Sequence, residues 1–177
     1  MNILSIKGSF VNFSNWLINR IEDFGGSISF YQYMDWLLND PVNGAYGSGQ
    51  ISIGKQGDFV TAPSLGKDFA HILSKQINQW IKQLEVEFPN KDVFSVVEFG
   101  PGEGDLALNL ALSLQEINPD LSRKIELVLI EENVAMINKQ KDKIKNIENI
   151  SIRWSKFEDL IKSPVVGIVL ANEVLDA

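Results

Sequence analysis

Val93-Phe94-Ser95-Val96-Val97-Glu98-Phe99-Gly100-Pro101-Gly102-Glu103-Gly104-Asp105 is the stretch whose reading sets the architecture of this chain. An apolar, β-type run from Val93 to Val97 reaches an acid, Glu98, and then three glycines at alternate positions. The helix-forming segment Leu106 to Leu114 follows at once. A strand that ends in a glycine turn and opens a helix makes a cradle of nucleotide size. The glycines let backbone approach a ligand closely, and the helix N-terminus offers free N–H groups. The glycines read G-x-G-x-G, whereas a dinucleotide site reads G-x-G-x-x-G.

Outward from this turn, residues 91–177 alternate apolar strands with amphipathic helices. The spacing predicts a strand at Val93 to Phe99, a helix at Asp105 to Glu116, and a strand at Ile125 to Ile130. A helix at Val134 to Ile144, a short strand at Ile150 to Trp154 and a strand at Val165 to Ala171 follow. Uninterrupted β-rich runs flanked by helices imply strands buried on both faces, hence a parallel sheet with right-handed crossovers. The expected fold is α/β and Rossmann-like.

Residues 1–90 differ in texture and read as a helical N-terminal region with a glycine-rich loop. Trp16, Leu17, Ile21 and Phe24 fall at helical spacing ahead of Gly25-Gly26. Ser29-x-x-Gln32 is a capping-box pattern, and that second helix should stop at Asn39-Asp40-Pro41. Asn43 to Gly49 and Gly54 to Pro63 make a long irregular segment of the kind that often carries function. Ser64 to Leu84 reads as one helix with Leu65, Phe69, Ile72, Leu73, Ile77, Trp80, Ile81 and Leu84 as its apolar stripe.

Composition excludes several classes. The chain has 177 residues and a net charge of −7, which argues against a general nucleic-acid or anionic-membrane surface. The lysines from Lys139 to Lys145 read as the solvated face of a helix. With no cysteine, disulfides, thiolate-bound zinc and a thiol nucleophile are excluded. No apolar run reaches the roughly 20 residues of a membrane-spanning helix, so no membrane insertion is expected. The first residues lack a secretory pattern. A cytoplasmic protein is expected.

Three groups of polar residues are candidates for the site. Glu98 can meet a ligand ammonium beside the glycine turn, or make a structural hydrogen bond to the loop. Glu131 ends the second predicted strand, where an acid can accept from both hydroxyls of a ribose or simply favour the next helix's positive end. The gap from Gly104 to Glu131 exceeds the roughly 20 residues usual in dinucleotide folds, which counts against NAD. Asn133 reads as that helix's N-cap. Asn172 and Glu173 follow the last strand on the same crevice, as contacts for a substrate guanidinium or as a cap for a following helix. His71 has no second ligand at helical spacing, so no metal is expected.

Glu98 to Gly104 resembles motif I of the S-adenosylmethionine (SAM) methyltransferases. More of the chain resembles one group of these, the MidA-like family. The likeness runs through Ile28 to Met34, Gly57-Asp58-Phe59-Val60-Thr61-Ala62-Pro63, Ile130-Glu131 with Gln140, and Leu170-Ala171-Asn172-Glu173-Val174-Leu175-Asp176-Ala177. The second and last of these are the specific signatures. Ser64 stands where the family usually has Glu.

The resemblance implies a class I SAM methyltransferase fold, present in part as four parallel strands. It implies SAM as cofactor and an arginine of a protein as acceptor, in mitochondrial members a subunit of respiratory complex I, an NADH dehydrogenase. Gly100, Gly102 and Gly104 would cradle the methionine part, Glu98 its ammonium and Glu131 the ribose, with Thr61 and Pro63 also at the cofactor. Asp58, Asn172 and Glu173 would form the catalytic, acceptor side. Family members are much longer, so the chain is expected to be the N-terminal half of such an enzyme. In the family's strand order, 3-2-1-4-5-7-6, the last strand here would be an apolar edge. The alternatives are a non-catalytic SAM-binding assembly module and an NAD-dependent oxidoreductase.

Overall fold

A computed structural model describes residues 11–49 and 66–174. Backbone contacts divide the chain into two compact units, Met1–Gln50 and Ile51–Ala177.

In the first unit, α1 (Val11–Asp23) and α2 (Phe30–Asn39) are joined by Gly25-Gly26. The Ser29 hydroxyl accepts the Gln32 N–H at 3.1 Å, as the capping pattern requires, and Asp40 ends α2 ahead of Pro41. The Arg20 guanidinium of α1 lies 4.3 Å from the Trp36 ring centroid and pairs with Asp40. Burial pushes the Asp40 carboxyl up, but N–H donors of Asn43 and Val42 and the Arg20 guanidinium outweigh it and hold it below the usual range.

The second unit runs α3 (Lys67–Glu87), β1 (Phe94–Phe99), α4 (Asp105–Ile117), α5 (Pro119–Ser122), β2 (Ile125–Ile130), α6 (Val134–Ile144), β3 (Ser151–Ser155), α7 (Phe157–Lys162) and β4 (Gly167–Ala171). The four strands are parallel, in the order β3-β2-β1-β4. The division near residue 50 assigns α3 to the sheet's unit, although its texture groups it with residues 1–90. Packing explains this. Ala70, Ser74, Ile77 and Ile81 are buried on one face of α3, and Ala70, Ile77 and Ile81 share a core with Phe94, Leu110 and Leu114. Of the expected stripe, Ile77 and Ile81 are buried and Leu73 and Leu84 pack against the core, whereas Phe69, Ile72 and Trp80 are exposed, Ile72 to 70%. Small residues at 70 and 74, not the bulkiest side chains, let the helix approach its neighbour.

Burial on both faces holds for β1 and β2 only. In β4, Gly167, Val169 and Ala171 are exposed and alternate with half-buried Ile168 and Leu170, so one of its faces is open. Among the described strands β4 is also an edge. Gly167 sits opposite Ser95, and a Cβ there would lie 1.7 Å from the Ser95 carbonyl oxygen. Gly167→Ala is expected to destabilise the chain by about 2 kcal/mol, because overpacking of this kind must push β4 off β1. An unchanged melting temperature would contradict that close pairing. Two short helices, α5 and α7, carry too little periodicity to be read from sequence. Among the described residues no helix is long and apolar enough to cross a membrane.

Candidate functional site

Register brings the candidate residues to one edge of the sheet. Phe99 pairs with Ile130 on one side and with Ala171 on the other. Gly100, Glu131 and Asn172, each one residue further on, therefore leave the three strands side by side at their carboxyl ends. This is where ligands bind in open α/β sheets.

The turn after β1 needs its glycines. Gly100, Gly102 and Gly104 have φ of 59°, 54° and 86°, left-handed conformations that side chains with a Cβ rarely adopt. Gly104 is also the N-cap of α4, so the turn delivers the helix N-terminus to the crevice. A Cβ on Gly100 would meet Val174 Cγ2 at 2.9 Å, so the segment after β4 packs directly on the turn.

Glu98 lies beneath this turn and is only 5% exposed. Its Oε2 is buried and accepts no hydrogen bond. Burial, with a smaller contribution from the Asp105 charge, pushes its carboxyl up to about 8. The structural alternative of a hydrogen bond from the loop leaves this oxygen unused. A buried carboxyl oxygen without a partner is costly.

Glu131 is held differently. Its Oε1 accepts the N–H groups of Glu132 and Asn133, both at 2.9 Å, and Oε2 accepts from Gln140 Nε2 at 3.4 Å. Oε1 is thus anchored by N–H groups at the start of α6, as the reading in terms of that helix's positive end expects. Asn133 caps α6, its Oδ1 accepting from Ala135 at 2.9 Å and Met136 at 3.2 Å. Asn172 is half-buried and Glu173 exposed, the latter at φ 52°, an uncommon conformation for a residue with a side chain. Asp58, Thr61 and Pro63, with Ser64, lie outside the described residues.

Sequence reasoning gave no role at the site to four residues that hold the turn, although Gln140 stands in the likeness to the family. Gln140 is wholly buried, and its Nε2 donates to the Gly102 carbonyl at 2.6 Å. The Trp154 indole of β3 donates to Gln140 Oε1 at 2.7 Å. Lys143 pairs with Asp105 at 2.9 Å and Glu103 at 3.7 Å, and Lys139 with Glu103 at 3.4 Å. Part of the lysine run is thus a clamp from α6 onto the glycine turn, not merely a solvated face. The available signal was Gln140 itself, a polar residue between Met136 and Ile144 on the buried stripe of α6. Among the described residues no cluster of His, Asp or Glu is placed to hold a metal ion.

Strand order, glycine turn and the acid ending β2 together define a Rossmann-like nucleotide-binding domain of the methyltransferase type. The family described as "Putative S-adenosyl-L-methionine-dependent methyltransferase" matches residues 72–177, and the chain belongs to it. Two similar curated proteins are both named protein arginine methyltransferase NDUFAF7, mitochondrial. The one from Mus musculus is 27% identical over 85% of this chain and 38% of its own length. That from Bos taurus is 28% identical over 90% of this chain and 39% of its own. The chain thus spans about two fifths of the length of these relatives. A crystal structure from Burkholderia thailandensis, bound to S-adenosyl-homocysteine, superposes with a TM-score of 0.66 at 26% identity. It covers 98% of this chain and 44% of that one.

Proposed function

We propose that this chain binds SAM and forms the cofactor-binding part of a methyltransferase that modifies an arginine of a protein substrate. The observation that carries the reading is the unpartnered, buried Oε2 of Glu98 beneath a turn of three left-handed glycines. The residues fit the cofactor. Glu98 supplies the acceptor for its ammonium, the turn admits its methionine part against bare backbone, and Glu131 faces a ribose. The family and the relatives' names support the choice of SAM and of arginine. The resemblance to the MidA-like family extends the proposal to a respiratory NADH dehydrogenase-type subunit as partner.

Bound SAM supplies an electrophilic methyl group on a sulfonium. The chain's part is positioning and electrostatics, with no covalent nucleophile required. Asn172 and Glu173, beside the turn, would orient the acceptor guanidinium by charge-assisted hydrogen bonds so that one nitrogen faces the methyl in line. Methyl transfer to that nitrogen would leave S-adenosyl-homocysteine and one guanidinium proton, which would pass to solvent. Asp58 is proposed for the same acceptor side, and Thr61 and Pro63 for the cofactor side, on the family signature alone.

Calorimetric titration with SAM, S-adenosyl-homocysteine and NAD tests the reading. The two S-adenosyl compounds are expected to bind and NAD to give no heat of binding. Tighter binding of NAD would replace this reading with an oxidoreductase one.

A further inference from the structure

We infer that Gln140 is a positioning residue that sets the Glu131 carboxylate against the glycine turn, and that Trp154 fixes the sense of its amide. The inference rests on the nucleotide reading above and deepens it.

Gln140 is 0% exposed and every polar atom of its side chain is used. One amide nitrogen donates to the Gly102 carbonyl at 2.6 Å and to Glu131 Oε2 at 3.4 Å, while the amide oxygen accepts from Trp154 Nε1 at 2.7 Å. Three strand ends are thereby tied through one side chain: the turn after β1, the acid after β2, and β3. The packing is close as well, since a Cβ on Gly104 would meet Gln140 Cγ at 3.3 Å.

The direction of the amide follows from chemistry. An indole N–H can only donate, so the amide oxygen must face Trp154. Turned over, that oxygen would oppose the Gly102 carbonyl and the Glu131 carboxylate, acceptors against an acceptor. Trp154 thus excludes the wrong orientation, although it belongs to a strand that does not reach the turn. The Lys141 ammonium lies over the Trp154 ring, 5.2 Å from its centroid. With Gln140 in place, Glu131 presents its free lone pairs to ribose hydroxyls at a fixed distance from the methionine cradle. A side chain that only filled the core would not need donors on both of those groups.

The test compares S-adenosyl-homocysteine with its 2′,3′-dideoxy analogue on the 177-residue chain. Wild type is expected to prefer the natural ribose by about tenfold, the worth of a hydrogen bond to a charged acceptor. Gln140→Met should bring that preference to within about twofold, because Oε1 of Glu131 stays on the Glu132 and Asn133 N–H groups while Oε2 loses the donor that orients it. Trp154→Phe should do so by a smaller factor, and the double variant should be no worse than Gln140→Met alone. Far-UV circular dichroism checks folding, and Trp154→Phe keeps the experiment decisive if Gln140→Met does not fold. Equal weakening of both ligands would mark a merely structural role and overturn the inference. So would an unchanged preference in folded variants. Failure of wild type to bind either ligand would remove the nucleotide reading and this inference with it.

Discussion

Gly102→Val is expected to weaken binding of S-adenosyl-homocysteine by about a hundredfold, nearly 3 kcal/mol, while leaving the chain folded. Gly102 has φ 54°, where a β-branched side chain is strained by about 1–2 kcal/mol. The turn can respond in two ways, and both damage the site. It can leave the left-handed region, which swings the Gly102 carbonyl away from Gln140. Or it can stay, and set an isopropyl group where the ligand must touch backbone. The core strands β1 and β2 are not involved, so the circular dichroism spectrum should be retained. Unchanged affinity by calorimetry would remove the glycine turn from the binding site.

Glu98→Gln should flatten the dependence of stability on pH and remove a proton released on binding. In the folded chain the Glu98 carboxyl lies near 8, against an ordinary value of 4.5. Between these two values the folded chain holds a proton that the unfolded chain has given up. Its contribution to stability is therefore complete below the unfolded value and is lost as pH rises through the folded one. For a group this deeply buried a rise of that size corresponds to a loss on the order of 5 kcal/mol, by linkage. The amide that replaces the carboxyl cannot ionise, so the variant should lose less stability than wild type between mildly acidic and alkaline pH. Parallel melting curves across that range would contradict the buried, protonated state. A ligand ammonium would favour the ionised carboxyl, so binding to wild type at neutral pH should release a proton. The measured enthalpy should then vary with the buffer's ionisation enthalpy, and in the variant less so.

Much of this was legible because it is local. The acid, the alternate glycines and the helix start fall within one short run, and their conformations follow from residue type alone. Glu131 could be placed by topology, since parallel neighbours end together. Gln140 could not. Its partners, Gly102 and Trp154, come from other elements, and nothing in its immediate neighbours announces them. The buried face of α3 was legible only in part, at Ile77, Ile81, Leu73 and Leu84, for a related reason. Side-chain size suggested Phe69 and Ile72, whereas close helix packing selects Ala70 and Ser74. Asp58 on the acceptor side, like Thr61 and Pro63 on the cofactor side, is known only through a sequence signature.

The pairing of Ser95 with Gly167 has a consequence in time. The central strand β1 meets β2 through a short crossover, but its other neighbour arrives only after two further strands have been laid down. Closing the longer span costs more chain entropy, and non-local parallel pairing is slow. Pairing of β1 with β2 is therefore expected to precede docking of β4, the strand that Asn172 and Glu173 follow. In kinetic terms, the β3-β2-β1 side of the sheet can form before the edge that carries Asn172 and Glu173.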